Sequence, residues 1–248
     1  MCRLLYAGPA ARYLSSSMRS LLHSATCLAL HKPGTSDEGG QMKQDISIFR
    51  NDIPASLDHA LRCQDVIAWD IETSGLDWKQ ERIGTCQLFT KETGPIIVQV
   101  GADRPARLCR LLVNPNVTKL FHHAMFDLRF MASAWQVRPA NVECTKIASK
   151  LLWPGKDGSC YTLKGLLQQL LAIRVSKAAR ISDWTADTLT SIQVEYAVSD
   201  VAHLEELRSI LHKKLHGGEL FDLYRRCVEF LPTQVELEIG DWSDVFTY

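Results

Sequence analysis

The sequence predicts an α/β fold built on a mixed β-sheet. Short apolar runs typical of buried strands come first along the chain, and longer segments with helically spaced apolar residues follow. This is the order expected of a sheet with helical crossovers. The 248 residues are enough to bury a large core. Apolar residues (46%) and charged residues (23%) occur at the frequencies of an ordinary globular protein, which excludes disordered and fibrous classes.

Four segments have the pattern of strands. Residues 66–69 form a short apolar run that ends in acidic residues, as a buried strand does. Residues 83–89 and 95–100 are two further strands, and the Lys-Glu-Thr-Gly turn between them predicts a hairpin. Residues 119–122 form the fourth strand and lead directly into a helix.

Most of the remaining sequence has the apolar spacing of helices. Gly217-Gly218 ends a long segment whose apolar residues recur at helical spacing. Pro232 is expected to end the last helix. The predicted helices cover 124–135, 147–152, 163–171, 192–215 and a final segment up to Phe230.

The first 41 residues differ in composition from the rest. Residues 1–36 contain Arg and Lys but no acidic residue, and the segment is rich in Ser. One interpretation is a mitochondrial targeting segment. The other, which we favour, is an untranslated or disordered leader with initiation at Met42, which predicts a cytoplasmic protein. In both cases the folded domain is expected to span 42–232, with an acidic tail over 233–248.

Charge, hydropathy and cysteine spacing exclude several classes of protein. Lys plus Arg and Asp plus Glu number 28 each, a balance that argues against a protein that coats polyanions without specificity. No apolar run reaches the roughly 18 residues of a membrane span, so we expect no membrane partner. The eight cysteines form no C-x-x-C pair, which argues against structural zinc and for reduced thiols.

Asp70 and Glu72 stand at the end of the first predicted strand. Side chains two apart on a strand point to the same face. The two carboxylates therefore repel each other unless a cation or a proton lies between them, and such oxygens suit Mg²⁺ or Mn²⁺. Acidic residues are also common at strand ends, so the pair alone leaves a plain structural interpretation open.

Two helices supply further candidates. Asp127 falls in the first turn of a helix, where the helix dipole favours a carboxylate. Its neighbours Phe126 and Leu128 predict that it is partly buried and needs a partner. Tyr196 and Asp200 lie four apart and share one helix face. A phenol beside a metal-binding carboxylate would hold a water for attack, whereas the plain interpretation is a packed aromatic and a surface acid.

The order of these residues resembles a known family. An Asp-x-Glu on the first strand, an Asp among apolar residues and a Tyr-x-x-x-Asp on a late helix are typical of the DEDD superfamily of 3′–5′ exonucleases. The tyrosine-bearing branch, which includes ribonuclease D, is the most similar. The resemblance covers roughly residues 46–215 and implies a ribonuclease H-like fold: a mixed, mostly parallel five-stranded sheet with helices on both faces. Further segments similar to ribonuclease D are 68–73, 144–149, 176–177, 182–184 and 196–201.

The resemblance also implies a mechanism. Two divalent ions, Mg²⁺ or Mn²⁺, would clamp the attacking and leaving oxygens at phosphorus. Asp70 would bridge the ions, Glu72 and Asp200 would complete one site, and Asp127 would hold the other. Tyr196 would orient the attacking water. A nucleoside 5′-monophosphate would leave from a free 3′ end.

Contacts with the substrate follow from the same resemblance. Thr73 would lie near the terminal 3′-hydroxyl, and Leu76 would wedge against the last base. His123 stands where related enzymes often carry Asn, so it either donates to a phosphate or is a packed histidine. Longer ribonuclease D proteins carry helical domains after the nuclease. The chain is therefore expected to be a short form, whose acidic tail would not bind RNA.

The predicted function is a metal-dependent 3′–5′ exoribonuclease that acts on single-stranded RNA 3′ ends in RNA processing or turnover. A DNA 3′–5′ exonuclease is the alternative within the class, because the same site cleaves both polymers and no identified residue senses the 2′-hydroxyl. A catalytically silent nucleic-acid-binding module is a third interpretation. The presence of all four acids and the tyrosine argues against it.

Overall fold

A six-stranded sheet organises the chain. The computed structural model describes residues 45–175, 182–242 and 244–247. The predicted leader over 1–41 and the segment 176–177 lie outside the described residues. The strands are β1 (Ser47–Arg50), β2 (Val66–Thr73), β3 (Ile83–Thr90), β4 (Gly94–Gln99), β5 (Thr118–Phe121) and β6 (Val142–Cys144). Their order across the sheet is β1-β4-β3-β2-β5-β6.

The pairing of the strands is mixed and mostly parallel, as predicted. Parallel pairing joins β1 to β4, β2 to β5 and β5 to β6. Antiparallel pairing joins β2 to β3 and β3 to β4. The predicted number of five strands is wrong by one. The two strands that the sequence pattern did not locate, β1 and β6, are edge strands of four and three residues, too short for an apolar run to stand out.

Helices cover both faces of the sheet. The predicted helices over 124–135 and 163–171 have the observed bounds. Within the described part of the chain, no helix is both long and apolar enough to cross a membrane. The helices are α1 (Ala55–Arg62), α2 (Ala106–Leu112), α3 (Ala124–Trp135), α4 (Thr145–Leu152), α5 (Leu163–Leu171), α6 (Ser191–Val201), α7 (Leu204–Gly217) and α8 (Phe221–Ile239).

The single helix predicted over 192–215 is wrong, because the structure divides it into α6 and α7. The break lies at Ala202 and His203. Ala202 keeps a helical backbone (φ −58°, ψ −29°), whereas His203 departs from it (φ −112°, ψ 5°). Only two residues separate the helices, so the apolar spacing continues almost unchanged across the break. Periodicity alone therefore could not reveal it.

The last helix also differs from the prediction, since α8 continues past Pro232 to Ile239. A proline inside a helix costs about 3 kcal/mol, because one hydrogen bond is lost and the ring crowds the preceding turn. Beyond the proline, Val235 is buried in the main core and Ile239 packs against it, and burial of one such side chain contributes about 1.5–3 kcal/mol. This contribution is of the same size as the cost of the proline, which is consistent with a helix that continues.

The apolar core lies on both faces of the sheet, because alternate residues of β2 point in opposite directions. Ile71 belongs to the larger cluster, which α1, α2 and α3 cover. Ala68 points the other way and packs with Val201 at the end of α6. Asp70 and Glu72 follow Ala68 at two-residue intervals. They therefore lie on the face that α6 covers.

Candidate active site

Two carboxylates lie side by side on β2. Asp70 and Glu72 are partly buried, and their cross-strand neighbours on β3 are Gln87 and Thr85. Both neighbours are fully buried, and Gln87 Nε2 donates to Thr85 Oγ1 at 2.6 Å. The surface of the sheet next to the two acids is therefore polar.

α6 brings a third carboxylate to the same face. The helix packs on β2, β3 and β4. A capping box at Thr190 and Gln193, in which each side chain accepts from the other's backbone N–H, fixes its start. Asp200 lies near its end, and one carboxylate oxygen from each of Asp70, Glu72 and Asp200 lies within 4.8 Å of the others. Three carboxylates at this spacing can hold a divalent cation.

Asp127 reaches the site from the first turn of α3. The residue is only 2% exposed, and its Oδ1 accepts a hydrogen bond from the Ile71 backbone N–H at 3.2 Å. It is not part of the compact group of three. Its charge nevertheless acts on Asp70: burial raises the pKa of Asp70 most, and the charge of Asp127 raises it next. The structure thus brings the four predicted acids to one region, three as a compact group and Asp127 beside them.

The surroundings of Asp70, Asp127 and Asp200 disfavour their negative charges. Within the described ranges, no Arg, Lys or His side chain forms an ion pair with Asp70, Asp127 or Asp200. Burial, followed by the neighbouring carboxylates, raises the pKa of Asp70 well above its usual value. Burial likewise raises the pKa of Asp127 to about 8 and that of Asp200 to about 7. Divalent cations at this position would relieve the repulsion.

Tyr196 lies one turn before Asp200 on α6, and the two side chains are hydrogen-bonded. Burial, followed by the charges of Asp200, Glu72 and Asp70, raises the pKa of Tyr196. The phenol therefore stays protonated. Its ring packs at a tilt against Trp184, with 5.9 Å between the ring centroids. A neutral hydroxyl at the edge of the carboxylates can donate one hydrogen bond and accept others.

Comparison with protein families identifies this arrangement. Residues 46–216, which include every strand and reach into α7, match a family model described as 3′-5′ exonuclease. The chain belongs to the 3′–5′ exonuclease family. The predicted membership of the DEDD superfamily, with ribonuclease D as a relative, is confirmed.

Curated relatives of the exonuclease include ribonuclease D proteins. That of Haemophilus influenzae is 29% identical over 149 residues, which cover 60% of this chain and 37% of the relative. That of Escherichia coli is 28% identical over 157 residues, which cover 63% of this chain and 41% of the relative. The exonuclease thus spans about two fifths of the length of these relatives.

Among solved structures, Brucella melitensis NrnC bound to pGG is 35% identical, with a TM-score of 0.75, and the match covers 82% of this chain and 98% of that chain. NrnC with bound Mg²⁺ is 34% identical, with a TM-score of 0.74 and the same coverage. The structure of Escherichia coli RNase D is 24% identical, with a TM-score of 0.64 over 73% of this chain and 48% of that chain. At this identity it supports the fold alone.

The three predicted substrate contacts lie on the segments that carry the acids. Thr73 follows Glu72 at the end of β2, and its hydroxyl donates to the Gly75 carbonyl at 2.5 Å. Leu76, in the loop that follows, is 85% exposed. His123 is exposed and directly precedes α3. The contact of each with substrate stays a prediction.

Sequence reasoning missed the residues that hold α6 against the sheet. Trp184 is buried and packs with Ile97 and Ala197. Gly84 on β3 lies against the Trp184 backbone, where an added Cβ would come within 2.3 Å of the carbonyl oxygen. Glycine is therefore required for this close approach. The segment 182–184 is similar to ribonuclease D, but nothing in the sequence connects it to Gly84.

Proposed function

We propose that the exonuclease removes nucleoside 5′-monophosphates one at a time from the 3′ end of single-stranded RNA, with Mg²⁺ or Mn²⁺ as cofactor. The observation that carries this proposal is the convergence of Asp70, Glu72 and Asp200 within 4.8 Å. Asp127 lies beside them, and Tyr196 is hydrogen-bonded to Asp200.

The carboxylates fit divalent cations by their chemistry, since hard oxygen donors suit these ions. Asp70, Glu72 and Asp200 would hold one cation, and Asp127 together with Asp70 would hold a second. When bound, such cations lower the pKa of a coordinated water and stabilise charge on the phosphoryl oxygens. The four acids would hold these ions near the end of β2.

Tyr196 would orient the attacking water. Its hydroxyl donates to Asp200 and leaves its lone pairs free to accept a hydrogen from water, which fixes the water's direction of approach. The water oxygen forms a bond to phosphorus as the bond from phosphorus to the 3′-oxygen of the preceding nucleotide breaks. One proton leaves the water and one is taken up by the departing 3′-oxygen, so the product is a 5′-monophosphate.

The choice of RNA rests on the relatives. The curated proteins that match are named ribonuclease D, and the NrnC structure is bound to pGG. The match covers about two fifths of the length of these ribonuclease D proteins. We therefore propose RNA as the polymer without assigning the exonuclease the particular substrates of the longer enzymes.

A direct assay compares RNA and DNA. Single-stranded RNA and DNA of one sequence, labelled at the 5′ end, are incubated with the exonuclease and Mg²⁺ or Mn²⁺, and the product lengths are resolved. We expect RNA to shorten stepwise from its 3′ end and cleavage to stop in EDTA. Faster shortening of DNA would identify a DNA exonuclease instead. Binding of either polymer without cleavage would identify a silent module.

A further inference from the structure

Two lysines on α4 have no acidic partner among the described residues. Lys146 is half-buried and Lys150 is exposed, and they lie one turn apart on the same helix face. Within the part of the chain that the structure describes, neither forms an ion pair. The Lys150 ammonium lies 5.9 Å from the centroid of the Tyr161 ring. This leaves both charges available to an anion.

The first turn of α4 packs against the start of α3, the helix that carries Asp127. The Lys146 backbone N–H donates to the His122 carbonyl at 3.2 Å. His122 Nδ1 and Thr145 Oγ1 are hydrogen-bonded at 2.9 Å. The two lysines are therefore held next to His123, which precedes Asp127 by one helical turn.

The charges at this position repel one another. Partial desolvation of the ring, followed by the charges of Lys146, Arg129 and Lys150, lowers the pKa of His123 to about 4. Burial and then Lys150 lower the pKa of Lys146. Arg129 is neutralised by Glu238, with 3.0 Å between Nη1 and Oε2. The two lysines are thus the cations that an incoming anion would stabilise.

An aromatic surface adjoins the lysines. The His123 ring stacks on Phe126, with 6.3 Å between centroids, and Phe126 in turn packs on Phe130 at 5.0 Å. His123 is exposed and Phe126 is partly exposed. Cations beside exposed rings are the arrangement that binds single-stranded nucleic acid, because phosphates pair with the cations and bases stack on the rings.

We propose that Lys146 and Lys150, with His123 beside them, bind a phosphate group of the substrate strand next to Asp127. The inference rests on the proposed function, since it treats the strand cut at the four acids as the source of this phosphate. Two phosphates have the required chemistry: an internal phosphodiester of a longer strand and a terminal 5′-phosphate of a short one.

The test measures binding and turnover separately. Binding of fluorescently labelled single-stranded RNA is followed by anisotropy in Ca²⁺, and turnover is measured in Mg²⁺. For the double variant Lys146→Ala/Lys150→Ala we expect a tenfold or greater rise in both Kd and KM, with kcat within twofold of the wild type. The slope of log Kd against log salt should fall by about 1 for each phosphate that no longer pairs with a lysine.

Two control variants show whether the position matters. Lys213→Ala/Lys214→Ala removes the same charge from exposed residues of α7 and should leave Kd within twofold. Lys146→Arg/Lys150→Arg keeps the charge and should restore binding.

A second comparison shows which phosphate the lysines bind. Binding is measured for RNAs of two and of ten nucleotides, each with and without a 5′-phosphate. A 5′-phosphate effect at two nucleotides alone indicates the terminal group, and its absence at both lengths indicates a phosphodiester.

Failure of this inference is distinct from failure of the proposed function. An unchanged Kd in the Lys146→Ala/Lys150→Ala variant, or an equal rise in the Lys213→Ala/Lys214→Ala control, would overturn the phosphate site while cleavage by the wild type continues. Conversely, a wild type that binds RNA through Lys146 and Lys150 but never shortens it would overturn the proposed function and leave the phosphate site standing.

Discussion

Two groups of carboxylates in the exonuclease have opposite surroundings. In the first, which we term the Glu143 network, Glu143 accepts hydrogen bonds from Arg208 Nε at 2.6 Å and Nη2 at 2.8 Å. His212 Nε2 lies 2.9 Å from the same carboxylate, and the Tyr224 hydroxyl donates to it at 3.4 Å. Burial raises the pKa of Glu143, but Arg208 and His212 outweigh this effect and lower it to about 2.

The second group, the acid cluster of Asp70, Glu72, Asp127 and Asp200, is equally enclosed, but no basic residue pairs with Asp70, Asp127 or Asp200 within the described chain. The pKa values of these three acids are raised. Burial alone therefore does not identify a functional acid. The Glu143 network pairs its carboxylate within the fold, whereas Asp70, Asp127 and Asp200 have no basic partner among the described residues.

The largest effect should come from the acid cluster. Asp70→Asn keeps the side-chain volume and removes the charge on which Asp127, Asp200 and Glu72 all act. We expect kcat on single-stranded RNA to fall by about 10³-fold, about 4 kcal/mol, because the cations would lose their shared ligand. Cleavage rates at saturating Mg²⁺ measure this.

Asp65→Asn is the matched control for this variant, since Asp65 is exposed and immediately precedes β2. It should cleave at the wild-type rate. A variant Asp70→Asn that retained full activity would remove the acid cluster from the mechanism.

A smaller loss is expected at Tyr196. Tyr196→Phe removes the hydroxyl that would orient water while keeping the ring packed against Trp184. We expect kcat to fall roughly 10²-fold, with the binding of Mn²⁺ unchanged by calorimetry. An undiminished kcat would mean that another group orients the attacking water. Loss of Mn²⁺ binding would mean that Tyr196 helps to bind the cations.

A substitution in the Glu143 network should lower the stability of the fold and leave cleavage activity unchanged. Glu143→Gln leaves Arg208 half-buried without its charge partner. We therefore expect the free energy of unfolding at pH 7 to fall by about 2 kcal/mol, which corresponds to a fall in Tm of roughly 4–8 °C. The folded pKa of Glu143 lies below its ordinary value of 4.5. Its contribution is therefore complete above that pH and lost as the pH falls towards 2.

Thermal unfolding at pH 7 and pH 3 checks this prediction, with Glu229→Gln on the exposed face of α8 as control. Equal Tm values for wild type and Glu143→Gln at pH 7 would mean that the network contributes nothing measurable. A loss of cleavage at temperatures where the variant remains folded would place Glu143 in the active site after all.

Much of the fold was predictable from local pattern, but the contacts that build the site were less so. The predicted bounds of α3 and α5 are those observed, and the alternation of β2 predicted that Asp70 and Glu72 share a face. Pairing between distant segments leaves no local signal. The pair Glu143–Arg208 spans 65 residues, and the close approach of Gly84 to Trp184 depends on the folded path of both segments.

The most direct test of the central claim, that the acid cluster is held for cations, is the melting temperature of Asp200→Asn with and without Mn²⁺. The folded pKa of Asp200, about 7, exceeds its ordinary value of 3.8. Without cations its ionisation therefore destabilises the fold progressively as the pH rises from about 4 through 7.

At pH 8 without Mn²⁺, Asp200→Asn should melt roughly 2–4 °C above the wild type, which corresponds to about 1 kcal/mol. Mn²⁺ should raise the Tm of the wild type by clearly more than that of the variant, which keeps Asp70 and Asp127 for the second proposed cation. An equal response of both proteins to Mn²⁺, or a variant that melts below the wild type at pH 8, would contradict the account.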